Sequence, residues 1–172
     1  MPLVHSEKIE ANTTLFIWKL SETESELRNA FRSDFNVEDL ETISHPQKVK
    51  EWLGSRLLLK NLVENVGLTY NGTRKDEHGK VYLSNSGAHI SITHTFDYVA
   101  AVINERSEVG IDMERKSEKL QRIAHKFLSD EEFEQADMNI RKLVMYWCAK
   151  EAIYKKYGKK KISFKDDIFI NT

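Results

Sequence analysis

Two long stretches of the chain repeat their hydrophobic residues at the spacing of an α-helix. The first begins at Pro46 and ends before Gly67, and the second runs from about Met138 to Tyr157, before Gly158. Proline fits the first turn of a helix and glycine fits its end, so the pattern predicts two long helices. Their inward-facing residues are predicted to be Val49, Trp52, Leu53, Leu57, Leu59, Leu62, Val63 and Val66 in the first, and Ile140, Leu143, Val144, Trp147 and Tyr154 in the second.

Shorter helices are predicted where a capping signal precedes apolar residues. Ser21 with Glu24, and Ser129 with Glu132, each have the Ser-x-x-Glu spacing of a capping box. Ser117 is a third candidate cap, for a helix whose buried face would carry Leu120, Ile123, Ala124, Phe127 and Leu128.

Runs of β-branched and aromatic residues predict short strands between the helices. The predicted strands cover residues 15–19, 81–83, 89–93, 98–104 and 108–113, with one or two final strands within residues 162–170. Phe96 and Asp97 are predicted to begin a hairpin connection, and residues 70–79 are predicted to form a turn or loop. The fold class is therefore predicted to be α+β.

An internal echo suggests two related halves, although three positions can also match by chance. The same four-residue spacing separates Trp52, Arg56 and Lys60 on the first long helix, and Trp147, Glu151 and Lys155 on the second. If the echo is real, the fold is a pseudo-two-fold arrangement of two similar halves, residues 1–104 and 105–172, forming one compact unit. Each half would be a long helix packed on a small, mostly antiparallel sheet.

Composition narrows the class of protein without indicating a reaction. The chain is 40% hydrophobic and 31% charged with a formal net charge of −1, which fits a globular protein and predicts neither a nucleic-acid partner nor a membrane partner. No apolar run approaches the roughly 20 residues of a membrane span, and the first ten residues lack the layout of a signal peptide. With the single cysteine Cys148, these features predict a cytoplasmic location.

The candidate chemistry lies in two separate segments. Asp112 and Glu114 are two residues apart, so on a strand their carboxylates would point to the same face. Glu151 and Lys155 are four apart on the second long helix and therefore share a face. Three carboxylates brought together repel one another unless a cation lies between them, and oxygen ligands favour magnesium.

An ordinary structural interpretation of each segment is also possible. Asp112 and Glu114 could form a solvated turn at a strand end, and Glu151 with Lys155 could be a surface ion pair. Gly110, just before the first segment, is predicted to leave room for a ligand to approach the backbone.

Considered together, the two segments resemble the signature of the Sfp-type 4'-phosphopantetheinyl transferases. The signature joins a G-[IV]-D segment to [FW]-[SCT]-x-K-E-[AS]-x-x-K after about forty residues. The chain has VGIDMER and WCAKEAIYK, with 38 residues between Asp112 and Glu151. The Sfp type is favoured over the short trimeric holo-acyl-carrier-protein synthase type, because a whole half precedes Asp112.

Three upstream segments extend the resemblance to roughly residues 46–160. HISITHT at residues 89–95 is similar to the family's strand ending in S-H-S, with Thr93 and Thr95 in place of the serines. EHGKVY at residues 77–82 resembles a G-K-P segment, with Val81 where proline is usual. KEWLG at residues 50–54 is similar to the basic start of the family's first long helix.

The resemblance implies a metal site and a set of catalytic residues. Asp112, Glu114 and Glu151 would hold Mg²⁺ on the pyrophosphate of coenzyme A. Asp112, Glu151 and Lys155 would be the catalytic residues, with Glu151 as the candidate base and Lys155 stabilising phosphate charge. The partner would be an acyl or peptidyl carrier protein, whose serine receives the 4'-phosphopantetheine group, and a monomer would suffice.

The resemblance also implies contacts to coenzyme A. His94 would bind the adenosine 3'-phosphate, with Thr93 and Lys80 nearby, and Gly79 and Lys155 would also bind coenzyme A. Lys50 would add a second positive charge. Lys150 and Arg56 rank lower: Lys150 is about 100° around the helix from Glu151, and Arg56 could be a salt-bridge partner instead.

Departures from the family pattern leave alternatives open. The family generally continues with several more strands where this sequence ends, so the C-terminal half is expected to be abbreviated or cut, and residues 34–42 are acidic where the family is often basic. A non-catalytic relative that binds coenzyme A or a carrier protein is one alternative. Another is a magnesium nuclease with a D…E-x-K core, although such nucleases place E-x-K on a strand and carry a basic footprint.

Overall fold

The protein is an α+β domain, as the hydrophobic pattern predicted. The computed structural model describes residues 3–31, 38–159 and 161–171, so residues 34–37 of the acidic stretch lie outside the described residues. The elements in chain order are β1 (Leu3–Glu10), β2 (Thr13–Lys19), α1 (Glu24–Phe31), α2 (Glu38–Glu41), α3 (Pro46–Asn65), β3 (Thr73–Lys75), β4 (Val81–Leu83), β5 (His89–Thr95), β6 (Tyr98–Asn104), α4 (Lys119–Phe127), α5 (Asp130–Ala136) and α6 (Ile140–Tyr157).

A four-stranded antiparallel sheet in the order β1-β2-β6-β5 forms the N-terminal part of the fold. Successive side chains of a strand point to opposite faces. One face carries Phe16, Trp18, Ile90, Val99, Ala101 and Ile103, and it shares a buried cluster with the apolar residues of α3. The hairpin between β5 and β6 turns at Phe96 and Asp97, as predicted.

Helices α3 and α6 begin and end close to the predicted positions. In α3, Pro46 occupies the first turn, and Gly67 follows the C-terminus with a φ of 81°. In α6, Gly158 is the C-cap with a φ of 72°, a left-handed conformation that glycine adopts without steric cost. The Ser129 and Glu132 capping box of α5 is confirmed, with both reciprocal hydrogen bonds present.

The predicted cap of α1 is wrong by two residues. Thr23 and Glu26 form the capping box there: Thr23 Oγ1 accepts from Glu26 N at 3.3 Å, and Glu26 Oε2 accepts from Thr23 N at 2.8 Å. Ser21 instead donates its N–H to the carbonyl of Lys19, at the end of β2. Ser117 lies one residue before the N-cap of α4, where its hydroxyl accepts from Lys119 N at 3.2 Å.

A second buried cluster joins α4, α5 and α6. Its members include Leu120, Phe127, Leu143 and Tyr146, with Trp147 packed edge-on against Phe127 at a ring-centroid distance of 5.0 Å. No described helix is long and apolar enough to cross a lipid bilayer.

Two predicted strand regions do not form, and two strands were not predicted: β1, and β3, which lies within residues 70–79 where a turn or loop was predicted. Residues 108–113 run beside β5 without entering the sheet, and residues 163–167 form a hydrogen-bonded turn. Among the described residues after 104, none lies in a strand, so the two-fold relation and the two halves stay predictions. Strand β1 escaped prediction because all its residues are exposed, which leaves no alternating pattern.

Candidate active site

Hydroxyl groups of β5 hold the segment that carries Asp112 and Glu114. Ser91 Oγ accepts from Ile111 N at 3.1 Å, and Thr93 Oγ1 donates to Asp112 Oδ1 at 3.0 Å. Thr95 Oγ1 and Glu114 Oε1 are 3.4 Å apart, at the long end of hydrogen bonding. Alternate residues of one strand thus bind successive parts of a neighbouring segment, and this side-chain ladder replaces the backbone ladder of a sheet.

Helix α6 closes over the other side of this segment. Lys155 Nζ lies 2.7 Å from Asp112 Oδ1 and 3.1 Å from the carbonyl oxygen of Ile111. Gly110 packs against the backbone of α6, where an added Cβ would overlap the carbonyl of Ala152 and lie 2.9 Å from Lys156 N. The room that Gly110 provides is therefore occupied by the helix, which corrects the interpretation that it admits a ligand.

Replacing Gly110 by alanine is expected to destabilise the protein. The obstructing atoms belong to a helix backbone and cannot rotate away, so α6 or the segment 109–114 must shift. Overpacking of this kind costs about 2–3 kcal/mol, and thermal unfolding should show a loss of several degrees. Gly87→Ala, where the new Cβ meets nothing within 4 Å, is the matched control. An unchanged melting temperature for Gly110→Ala would contradict this packing.

The carboxylates of the two segments influence one another. Burial raises the pKa of Glu151, the charges of Asp112 and Glu114 raise it further, and Lys155 opposes them. Burial also raises the pKa of the Cys148 thiol to about 12, assisted by the charge of Asp112 and a hydrogen bond to its carboxylate. Cys148 therefore stays a thiol at neutral pH and acts as a donor to Asp112.

The donor chemistry of this site fits a magnesium ion, although the ligands are not gathered around one point. Within the described residues, no group of three or more His, Cys, Asp or Glu side chains is arranged to hold a metal. Asp112 Oδ1 instead contacts Lys155 and Thr93. Asp112, Glu114 and Glu151 nevertheless supply only hard oxygen donors, and a divalent cation would offset the repulsion that raises the pKa of Glu151.

A cavity of about 230 Å³ opens beside Lys155. Three of the predicted coenzyme A residues line it, and they are Gly79, Lys80 and Lys155. Gly79 has a φ of 88°, a left-handed conformation that glycine adopts without steric cost, and its N–H donates to the carbonyl of Asp76 at 3.0 Å within a turn. Lys80 is largely buried, pairs with Glu108 and donates to the carbonyl of Lys156 at 2.8 Å, so its ammonium ties the cavity wall to the end of α6.

The other predicted coenzyme A residues are not among those that line this cavity. His94 points to the opposite face of β5 from Thr93, and its Nδ1 is 3.1 Å from Glu51 Oε2 on α3. Thr93 is buried against Asp112. Lys50 lies toward α1, where the pKa of Glu26 is lowered first by hydrogen bonds from Thr23 and further by Lys50. The structure therefore does not bring Lys50 to the cavity wall.

Lys150 is fully buried and has a structural position. Its Nζ donates to Glu132 Oε2 at 2.6 Å and to the carbonyls of Phe164 and Ile168 at 2.7 and 2.5 Å. Burial acts to raise the pKa of Glu132, but the hydrogen bonds from Lys150 and from the amides of Ser129 and Ile170 outweigh it and lower the pKa. The C-terminal segment is thereby fastened to the helix that carries Glu151.

Several residues that shape the site were given no role in it by the sequence prediction. Ser91 and Thr95 share the face of β5 that carries Thr93, and the alternation S-x-T-x-T in the sequence was a usable signal. Cys148 lies within the segment WCAKEAIYK, at the motif position that accepts serine, cysteine or threonine. Glu51 gave no signal, because a single glutamate among lysines on a helix is normally solvent-exposed.

The sequence of the chain is similar to known proteins in two comparisons. Residues 108–171 match the 4'-phosphopantetheinyl transferase superfamily, and this range contains Asp112, Glu114, Glu151 and Lys155. The resemblance inferred from the two motifs is therefore confirmed. At the level of individual proteins, the chain is 27% identical over 157 residues to the 4'-phosphopantetheinyl transferase gsp of Aneurinibacillus migulanus. The match covers 87% of this chain and 62% of the length of that relative.

Proposed function

We propose that this chain transfers the 4'-phosphopantetheine group of coenzyme A to a serine of an acyl or peptidyl carrier protein, in a magnesium-dependent reaction. The observation that carries the proposal is the position of Lys155. Its Nζ lies 2.7 Å from Asp112, and the same residue lines the 230 Å³ cavity that Gly79 and Lys80 also line. One ammonium group thus lies between the carboxylates and a cavity that Lys80 and Lys159 also line, a position from which it would stabilise negative charge on a pyrophosphate.

The proposed reaction breaks the phosphoanhydride bond of the coenzyme A pyrophosphate and forms a phosphodiester with the carrier serine. The serine hydroxyl of the carrier attacks the β-phosphorus of coenzyme A, and the bond from that phosphorus to the bridging oxygen breaks. Adenosine 3',5'-bisphosphate leaves, and the serine proton passes to Glu151, directly or through water. The raised pKa of Glu151 suits this role, because a carboxylate that binds protons more tightly is a stronger base.

The remaining groups would stabilise charge and position the reactants. A magnesium ion held by Asp112, Glu114 and Glu151 would neutralise negative charge on the pyrophosphate as the bond breaks. Lys155 adds a positive charge beside the leaving phosphate. Thr93 and the Cys148 thiol, which both donate to Asp112, fix the orientation of that carboxylate.

The decisive experiment follows the carrier protein by mass spectrometry. The chain is incubated with coenzyme A, Mg²⁺ and an apo carrier protein, and the expected result is a gain of one phosphopantetheine group on the carrier serine. A panel of fatty-acid, polyketide and nonribosomal-peptide carriers identifies the preferred partner. Binding of coenzyme A without any mass gain across the panel would support a non-catalytic binding protein instead.

Asp112→Asn is expected to reduce this transfer by about 10³-fold while the protein stays folded. The amide keeps the size of the side chain but removes the charge that pairs with Lys155 and would bind the metal. Transfer rates are measured with Mg²⁺ and with a chelator, and circular dichroism checks folding. Asp130→Asn is the control, since that carboxylate is 96% exposed. Transfer near the wild-type rate in Asp112→Asn would remove Asp112 from the site.

A further inference from the structure

A buried carboxylate on α3 has no part in the mechanism above. Glu51 is only 4% exposed, and its oxygens lie 3.1 Å from His94 Nδ1, 2.8 Å from Lys48 Nζ and 3.4 Å from Gln47 Nε2. Burying a carboxylate is unfavourable unless donors surround it. Gln47 also donates to the carbonyl of Phe96 at 2.6 Å, so this end of α3 is attached to the β5–β6 hairpin.

The contact with Glu51 fixes the orientation of the His94 ring. A carboxylate accepts hydrogen bonds, so Nδ1 carries the proton and Nε2 is left for another partner. No described residue hydrogen bonds to Nε2, and the His94 side chain is 40% exposed. The ring is therefore held from the α3 side, with its second nitrogen open to a ligand.

The charges around His94 favour an anion at that open nitrogen. Burial lowers the pKa of His94, Glu51 acts to raise it, and Lys48, Lys155 and Arg56 act to lower it. The ligand-free imidazole is consequently neutral at pH 7, within a group of three cationic side chains. A phosphate arriving at Nε2 adds negative charge, which favours uptake of a second proton by the ring.

We propose that Glu51 is a positioning residue for coenzyme A, holding His94 so that Nε2 contacts the 3'-phosphate of the nucleotide and stabilising the imidazolium formed there. This inference rests on the proposed function, since it takes coenzyme A as the ligand. Glu51 itself does not touch the ligand. Its effect reaches the phosphate through His94, in the way that a carboxylate orients an imidazole in many sites.

The test compares coenzyme A with dephospho-coenzyme A, which lacks only the 3'-phosphate. In calorimetry without carrier protein, Glu51→Gln is expected to weaken coenzyme A binding about tenfold and leave dephospho-coenzyme A binding unchanged. Glu64→Gln on the same helix is the control, because Glu64 is 51% exposed and pairs only loosely with Lys60, at 3.9 Å. Equal losses for both nucleotides, or no loss, would overturn the proposal.

A double mutant separates positioning from general structural damage. In a His94→Asn background, Glu51→Gln should produce no further loss of coenzyme A affinity, because its route to the phosphate is already broken. Additive losses would mean that Glu51 acts without His94, which also overturns the proposal. NMR of the ring nitrogens gives a second readout: Glu51→Gln should lower the pKa of His94, since the charge of Glu51 acts to raise it.

Failure of this inference and failure of the proposed function give different results. A wild-type chain that discriminates between the two nucleotides, and loses this discrimination in Glu51→Gln, supports the inference even if no carrier is modified. A wild-type chain that modifies a carrier but binds both nucleotides equally keeps the proposed function and overturns the inference.

Discussion

Replacing Glu151 by glutamine is expected to abolish transfer and, at the same time, to stabilise the metal-free protein. Transfer should fall by about 10³-fold or more, because the amide cannot accept the serine proton. Stability should rise because burial and the charges of Asp112 and Glu114 all disfavour the Glu151 carboxylate. A gain of about 1 kcal/mol corresponds to roughly 2–4 °C in melting temperature for a chain of this size.

The pH dependence of the melting temperature provides a second test of the Glu151→Gln prediction. The pKa of Glu151 is raised in the folded protein, so above the ordinary value of 4.5 the folded state holds more protons than the unfolded state. The contribution of Glu151 to the free energy of unfolding therefore falls as the pH rises above 4.5. The Glu151→Gln variant does not lose this contribution, because its amide does not titrate. The difference in melting temperature should be small below pH 4.5 and should grow toward neutral pH.

Magnesium should reverse the stability order. In chelator, Glu151→Gln is expected to melt higher than wild type, and added Mg²⁺ should raise the melting temperature of wild type more than that of the variant. Glu134→Gln, an exposed position on α5, should change neither stability nor transfer. Near wild-type transfer in Glu151→Gln would exclude Glu151 as the base, and a lower melting temperature in chelator would contradict the charge repulsion.

Removing the buried ammonium group of Lys150 is expected to be the most destabilising single change. Lys150→Ala leaves Glu132, which is 3% exposed, without its cation and two carbonyl groups without their donor. Breaking one side of a buried ion pair costs about 3–5 kcal/mol, which corresponds to roughly 10 °C in melting temperature. Lys142→Ala on the same helix should change little, since Lys142 is exposed and its Nζ donates to the carbonyl of Gln135 at the surface.

A double mutant tests whether the unpaired charge causes this loss. Lys150→Met keeps the length of the side chain, and adding Glu132→Gln removes the charge that the first substitution leaves buried. The double variant should be more stable than Lys150→Met alone, a non-additivity typical of coupled buried groups. If Glu132→Gln makes Lys150→Met worse, the packing of the C-terminal segment matters more than the ion pair.

The fold was predictable wherever burial on one side produced a periodic pattern. Helices α3 and α6 were found because their apolar residues recur at helical spacing between proline and glycine signals. Strand β1 could not be found, because a strand exposed on both faces has no alternation to read. The segment 108–113 has strand-like composition, yet nothing in it shows that side chains of β5, and not its backbone, would hold it.

The site was predictable as a motif but not as a set of contacts. Two segments of fixed spacing predicted Asp112, Glu114, Glu151 and Lys155 as candidate site residues, and the structure joins the two segments through the Asp112–Lys155 pair. The roles of Lys150 and Glu51 could not be inferred, because charged residues are normally exposed and only the tertiary structure shows that these two are buried. The cationic surroundings of His94 likewise come from residues far apart in the sequence.

The side-chain ladder on β5 separates the shape of the protein from the orientation of its acidic residues. Strand β5 keeps its place through backbone pairing with β6, while Asp112 and Glu114 are oriented through the threonine hydroxyls. Serine and threonine are therefore interchangeable at residues 93 and 95, and threonine adds the branching that strands favour. Valine has nearly the volume of threonine but no hydroxyl group. With valine at residues 93 and 95, the backbone of β5 can stay the same while Asp112 and Glu114 lose the hydrogen bonds that orient them. Among related chains, the hydroxyl groups on this strand would then distinguish those that keep the arrangement from those that keep only the fold.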